Sequence, residues 1–141
     1  MTFSEGVYGV ANGTGPLTAD SFALSFNANG GGATNVTIGS VTKTNSSALT
    51  GGESVVRVHL TVTGTPTGVE TIELKPSSGA SIYDDRGNAA LATETTGTIT
   101  LADQLAPKIV NADLGPFNSY VDITFSEGVY STSNGTGELN I

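Results

Sequence analysis

The sequence has no cysteine, no tryptophan and few charged residues, which make up 13% of its 141 residues. A domain of this length can stand on its hydrophobic core without disulfides, so the missing cysteine does not decide between compartments. No apolar run reaches the ~18 residues of a membrane-spanning helix, and membrane insertion is not expected. Apolar residues do not recur at helical spacing in any segment either, which argues against a helical fold.

Basic residues are especially scarce, since 5 Lys and Arg stand against 13 Asp and Glu, for a net charge of −8. Nucleic-acid binding needs clustered basic side chains to displace counterions from phosphates, and this class is excluded. An anionic membrane surface would repel the chain for the same reason. An acidic surface offers carboxylates to divalent cations, but it also simply keeps a protein soluble, and both interpretations stay open.

Small polar residues and glycine replace the missing charges, with 19 glycines in the chain. β-Branched residues alternate with small polar ones, as in strands joined by tight turns. The clearest alternation covers residues 54–63, where the even-numbered residues from Val56 to Val62 are all valine or leucine. Further strands are predicted at 22–26, 36–41, 69–76, 82–83, 96–101, 109–114 and 121–125, with one helical turn at 17–21 that Asp20 caps. About seven short strands predict an antiparallel β-sandwich of two sheets.

An internal repeat is the strongest feature of the chain. Residues 2–15 read TFSEGVYGVANGTG and residues 124–137 read TFSEGVYSTSNGTG, so 11 of 14 positions are identical. The offset from Phe3 to Phe125 is 122 residues, too long for a solenoid unit and right for a whole β-domain. The chain therefore holds a little over one period of a tandem repeat.

The phase of the repeat is indicated by Pro107, which follows a predicted strand and suits a short extended joint. Residues 1–104 are then one domain that lacks its first strand and most of its second. Residues 105–141 supply the first strands of the next copy, so the chain is expected to be cut out of phase with its repeat. These strands complete residues 1–104 either in the same chain or in another molecule. The short joint favours strand exchange between molecules, and thus self-association.

Two short motifs carry a resemblance to a known family. They are IYDDRGNA at residues 82–89 and DQLAP at residues 103–107. With TFSEGVY and the segment GVET at 68–71, they resemble bacterial immunoglobulin-like repeats of very long surface and secreted proteins, including the cyanobacterial swimming-protein type. The resemblance implies an immunoglobulin-like β-sandwich that serves as an extracellular stalk or adhesive module beside neighbouring repeats. It also implies calcium near the domain ends and no catalysis.

Oxygen-rich positions at strand ends and turns are candidates for calcium binding, because calcium takes carboxylate, amide and carbonyl oxygens. The repeated glutamate of TFSEGVY follows a strand, an acidic turn follows residue 83, and one aspartate lies at the joint. Each also has a plain interpretation: a solvated turn residue, or an aspartate that bonds its own turn backbone. The candidate calcium ligands are Glu5, Asp84, Asp85, Asn88, Asp103 and Glu127.

No constellation of catalytic residues is apparent. His59 is the only histidine and lies on the predicted polar face of its strand. A nucleophile elbow is absent, and zinc needs more histidine or cysteine than the chain has. We therefore predict that the protein is not an enzyme and holds no cofactor other than calcium. The alternative function is a module that binds carbohydrate or another surface ligand, although no tryptophan is present and the tyrosines are scattered.

Overall fold

The computed structural model describes residues 1–139 of the chain. The chain divides into two compact units, residues 1–104 and residues 105–141, which we call the body and the hairpin unit. Interpreting the hairpin unit as the start of a second repeat remains a prediction.

Nine strands and two single-turn 3-10 helices make up the described residues, and all strand pairs are antiparallel. The strands of the body are β1 (Thr2–Val7), β2 (Phe22–Asn27), β3 (Ala33–Thr42), β4 (Glu53–Val55), β5 (Arg57–Gly64), β6 (Thr71–Pro76) and β7 (Ile99–Thr100). The hairpin unit has β8 (Ile109–Leu114) and β9 (Val121–Phe125). The 3-10 turns are Ala19–Ser21 and Pro116–Asn118. The prediction of an all-β fold of antiparallel strands is confirmed.

The body is a sandwich built around one hydrophobic core. Its strands form the three-stranded sheet β2–β6–β7 and the two-stranded sheets β1–β4 and β3–β5. The core receives Phe22 and Leu74 from the three-stranded sheet and Val7 from β1. Val56, which separates β4 from β5, is 1% exposed and belongs to the same core. Burying the apolar faces of sheets against each other is what holds a β-sandwich together.

Alternation of apolar residues explains the β2–β6 pair. Phe22 lies opposite Pro76, Leu24 opposite Leu74, and Phe26 opposite Ile72. Directly opposite residues share one face of a sheet, so these side chains form one apolar surface. That surface covers the core from the side of β2 and β6.

Some predicted elements differ from the structure. The predicted strand 54–63 is interrupted at Val56, and the predicted strand at 82–83 is only an isolated bridge at Tyr83. Asp20 was expected to cap the helical turn, and this is wrong because the N-cap is Thr18. The Thr18 N–H donates to Ser21 Oγ at 3.1 Å, so the cap lies two residues before the acidic side chain.

The hairpin unit has one apolar face whose side chains are mostly exposed. Cross-strand pairs Leu114–Val121, Ala112–Ile123 and Ile109–Phe125 share this face, whereas Asp113 pairs with Asp122 on the other. Ile109 and Leu114 are each 63% exposed. A two-stranded hairpin without a core is marginally stable in water, so this face is suited to packing against another element.

Candidate functional site

A cavity of about 450 Å³ opens in the body beside β1. Its apolar lining includes Phe3, Val7, Ile82 and Ala90, of which Val7 and Ile82 belong to the hydrophobic core. Its polar lining includes the three carboxylates Glu5, Asp84 and Glu94 together with the Asn88 amide. The site therefore combines access to the core with a wall of negative charge.

The edge of β1 beside this cavity is open. In residues 1–139 the one strand that neighbours β1 is β4. The Met1 amino group donates to Val56 O at 2.7 Å, and Val56 N donates to Met1 O at 3.0 Å. Successive residues of a strand direct their backbone groups to opposite edges, so Thr2 turns its N–H and C=O away from β4. The far end is closed, because Tyr8 and Tyr83 exchange backbone hydrogen bonds of 2.8 and 2.9 Å.

The acidic turn after Tyr83 forms part of the cavity wall and is organised by Asp84. The Asp84 carboxylate accepts hydrogen bonds from the backbone N–H groups of Arg86 and Asn88, both at 2.8 Å, and from Asn88 Nδ2 at 2.6 Å. The bond from the Asn88 side chain, with those from the backbone, holds the pKa of Asp84 below its usual range despite partial burial. Asp84 thus acts as the acceptor of its own turn, as aspartate commonly does.

The structure brings three of the six candidate calcium ligands to one place. Glu5, Asp84 and Asn88 line the same cavity. Asp85 instead lies 3.8 Å from the Arg86 guanidinium in an exposed pair. Asp103 lies beside Gly68, where an added Cβ would come within 3.3 Å of the Asp103 Cβ.

Glu127, the sixth candidate, belongs to the hairpin unit. Across residues 1–139 no three Asp, Glu, His or Cys side chains converge in the way a metal ion needs. Calcium binding stays a prediction of the sequence.

A buried carboxylate that the sequence analysis did not single out is Glu70, whose side chain is fully buried. Its oxygens accept from Ala33 N at 2.8 Å, Thr67 N at 2.9 Å and Val69 N at 3.3 Å. The bond from Ala33, helped by the others, outweighs burial and lowers the pKa of Glu70 to about 2. A Cβ at Gly31 would come within 2.2 Å of Glu70 Oε1, so this carboxylate requires glycine next to it.

The sequence does contain a signal for the burial of Glu70, because Glu70 continues the alternation of buried residues along β6. Ile72, Leu74 and Pro76 are buried at alternate positions, and Glu70 precedes them in the same phase. Continuing the alternation backwards places this glutamate inside the protein. A buried charge must be fully hydrogen-bonded, and Ala33 N together with the turn at 65–69 supplies the donors.

A second carboxylate, Glu53, closes the loop before β4. It accepts from Thr50 N at 2.8 Å and Gly51 N at 2.9 Å, and Lys43 Nζ lies 3.2 Å away. Burial raises the pKa of Glu53, but the hydrogen bonds from Thr50, Lys43 and Gly51 outweigh it and lower the pKa to about 2. Glu53 and Glu70 therefore fasten loops of the body rather than present free carboxylates.

His59 lies on β5, and its Nε2 is 2.8 Å from Thr42 Oγ1 on β3. The two residues are diagonal neighbours two register steps apart on paired strands, because Thr42 pairs with Arg57 and Ser40 with His59. The contact joins two strands of one sheet and is explained by the sheet itself. The absence of a catalytic role for His59 stays a prediction.

Among residues 1–139 no helix has the length and apolarity needed to cross a membrane. Comparison of the chain with protein-family models, curated protein sequences and solved structures finds no match in any of the three.

Proposed function

We propose that this chain is a non-catalytic structural or adhesive module, one repeat of a spacer or stalk in a large bacterial extracellular or cell-surface protein. The observation that carries the proposal is the 14-residue repeat with 11 identities at an offset of 122 residues. An offset equal to one β-domain is expected of modules strung along a chain. The resemblance to bacterial immunoglobulin-like repeats supports the same function.

The joint between the two units supports a spacer in which successive modules keep some distance. It is the short segment Leu105-Ala106-Pro107, and the residue before a proline is held extended. A joint of this kind separates modules without a long flexible linker, which would let an array collapse on itself. The net charge of −8 keeps such an array soluble, because like-charged copies repel one another.

The test is the length of arrays with one, two and four copies of the 122-residue period, measured by small-angle X-ray scattering. We expect the maximum dimension to grow by at least about 35 Å per copy, the diameter of a compact domain of this length. The variant Pro107→Gly should shorten the array, whereas the matched variant Pro116→Gly, outside the joint, should not. A dimension that does not increase with copy number contradicts the proposal.

The cavity beside β1 favours one alternative, a module that binds carbohydrate or another small ligand. Polar groups at Glu5, Asn88 and Glu94 next to an apolar floor suit such a ligand. A glycan array probed with the whole chain tests it. A saturable hit that Asn88→Ala abolishes would replace the spacer as the leading function, and a blank array would count against the alternative.

A further inference from the structure

The internal repeat aligns two strand edges with each other. At the offset of 122, Thr2 corresponds to Thr124 and Phe3 to Phe125, so the start of β1 corresponds to the end of β9. β9 has β8 beside it, whereas the corresponding edge of β1 is open. The β8–β9 pair is therefore complete, whereas β1, the counterpart of β9, has no counterpart of β8 beside it within residues 1–139.

The pairing of β8 with β9 specifies what the open edge would accept. Asn111 lies opposite Thr124, Ile109 lies opposite Phe125, and Ser126 N donates to Lys108 O at 2.8 Å. Because TFS is common to both copies, a segment 108–112 placed beside β1 would set Asn111 opposite Thr2 in the same register. Its backbone would meet the N–H and C=O that Thr2 directs away from β4.

Apolar complementarity favours the same placement. Met1 and Phe3 pack against the core of the body, so the face they share points inward. Ile109 shares a face with the counterpart of Phe3 and is 63% exposed. In the register above, its side chain would enter the cavity of about 450 Å³ beside Phe3. Burying it there removes apolar surface from water at both partners.

Charge complementarity points the same way. The cavity is lined by the carboxylates of Glu5, Asp84 and Glu94, and no lysine or arginine lines it. Lys108 is the only basic residue of the segment 105–141 and would lie at the position opposite Ser4, next to Glu5. A cation beside several carboxylates guides the register and speeds encounter.

Moving β8 from β9 to β1 costs little free energy. The pairing that β8 gives up belongs to a two-stranded hairpin without a hydrophobic core, and such a hairpin is only marginally stable. The joint of the same chain is short for this purpose. The chain leaves the body at Gln104, whose N–H donates to Pro66 O before the start of β6, whereas the cavity lies at the other end of β6, beside Pro76. The four steps from Gln104 to Lys108 span at most about 14 Å, which is less than the length of β6, about 17 Å. A donor segment from another molecule is therefore favoured over the same chain's own segment.

We propose that the open edge of β1, with the cavity beside it, is a docking site for residues 108–112 of a second copy of this chain. The inference rests on the repeat that also carries the proposed function. A spacer that stays monomeric would leave that function standing, so failure of one is distinguishable from failure of the other. Reciprocal exchange closes a dimer, and one-way exchange builds an open chain of molecules.

Disulfide trapping tests the site directly, because the sequence has no cysteine of its own. Two preparations, Thr2→Cys and Asn111→Cys, are mixed and oxidised under mild conditions. Residues directly opposite on antiparallel strands lie at a distance that a disulfide spans. We expect a cross-linked species of twice the 14.2 kDa chain mass. The control mixture of Thr63→Cys, an exposed threonine on β5, with Asn111→Cys should give at least about tenfold less product.

A chain that carries both Thr2→Cys and Asn111→Cys separates the two possible donors. Cross-linked dimers support exchange between molecules. A monomer with an internal disulfide, formed at the same rate at every protein concentration, would overturn the proposal in favour of the same chain's own segment. Equal product from the Thr63→Cys control would overturn it as well, because contact would then be unspecific.

Light scattering as a function of concentration gives an independent measurement. Placing a carboxylate in the cavity with Ile109→Asp should weaken self-association at least about tenfold, because a buried unpaired charge is costly. Asn111→Asp adds the same charge to the polar face of the same strand and should leave association within about threefold of the parent chain. Equal effects of both variants, or a parent chain that stays monomeric at millimolar concentration, would contradict the docking site.

Discussion

The two copies of TFSEGVY have identical sequences and different structures. In the body, β1 runs through Val7, which is 6% exposed, and Tyr8 continues into a bridge with Tyr83. In the hairpin unit, β9 ends at Phe125, and Tyr130 is 56% exposed. The difference lies in the partners, because the pairing of the first copy with β4 reaches Val7, whereas within 1–139 the strand pairing of the second copy, with β8, ends at Phe125. Strand formation here depends on tertiary pairing more than on the segment's own preference.

The turns that follow the two copies, in contrast, have the same structure. Gly9 N donates to Gly15 O at 3.0 Å, and the equivalent Ser131 N donates to Gly137 O at 3.4 Å. Gly15 and Gly137 have φ values of +75° and +85°. The Asn-Gly-Thr-Gly turn therefore forms in both settings, since its hydrogen bonds and positive φ angles are local.

The largest expected effect comes from Gly6→Val, which tests the tertiary pairing that distinguishes the first copy of TFSEGVY from the second. A Cβ at Gly6 would come within 2.6 Å of the Gly52 carbonyl oxygen, so β1 and β4 would have to separate. We expect about 3 kcal/mol of destabilisation in urea unfolding. The equivalent Gly128→Val meets only the Tyr130 side chain, at 3.3 Å, and should change the free energy of unfolding by under about 0.5 kcal/mol. Similar losses from both variants would mean that the second copy is also packed.

Gly13→Ala and Gly135→Ala sharpen the comparison at the turn. Both glycines have positive φ, at +71° and +73°, so both changes strain the backbone. A Cβ at Gly13 would also lie 2.5 Å from the Asp85 carbonyl oxygen, whereas Gly135 has nothing within 4 Å. We expect Gly135→Ala to lower the free energy of unfolding by about 1 kcal/mol, the cost of positive φ alone, and Gly13→Ala by about 3 kcal/mol, because the clash adds to that cost. Thermal denaturation of both variants checks the difference, and a larger loss for Gly135→Ala would be inconsistent with it.

Acid should unfold the body through its fastened carboxylates. The pKa of Glu70 is lowered from 4.5 to about 2 in the folded protein. A depressed folded pKa gives stability that is present above the unfolded value and is lost as pH falls from about 4.5 to about 2. The urea concentration at the unfolding midpoint, measured from pH 7 to pH 2, should therefore decrease as the pH falls through this range. The decrease should be less steep in the variant Glu70→Gln. The exposed Glu94→Gln is the control, and an unchanged pH slope in Glu70→Gln would refute the assignment.

Calcium should have the smallest effect. Glu5, Asp84 and Asn88 share one wall of the cavity, but the Asp84 oxygens already accept hydrogen bonds within the turn. A site with a Kd near 5 mM, measured at 5 mM calcium, adds about 0.4 kcal/mol and raises the Tm by about 2 °C. Glu5→Gln should remove the rise, and the repeat-equivalent Glu127→Gln should keep it. Identical melting with calcium and with chelator would end the calcium hypothesis.

Much of the body was predictable because its signals are local. Alternation predicted β2, β3 and β6, and turn residues predicted the segments between them. The interruption at Val56 was not predictable, since it depends on the core drawing that side chain inward between β4 and β5. The bridge between Tyr8 and Tyr83 joins residues 75 positions apart, and the cavity beside β1 depends on the same distant pairing. Single-sequence patterns carry no information on contacts of that separation.

The pairing of β1 with β4 has a consequence during protein synthesis. The ribosome completes β4 at Val55, 69 residues before Thr124 of the second TFSEGVY is made. At a synthesis rate of ~5–20 residues per second, the first copy has about 3–14 s to pair with β4 before the second copy is made. Refolding from denaturant removes that interval, and both copies then compete for one β4. We expect refolded chains to show a slow phase or mispaired species that freshly translated chains lack, and single-exponential refolding would argue against this competition.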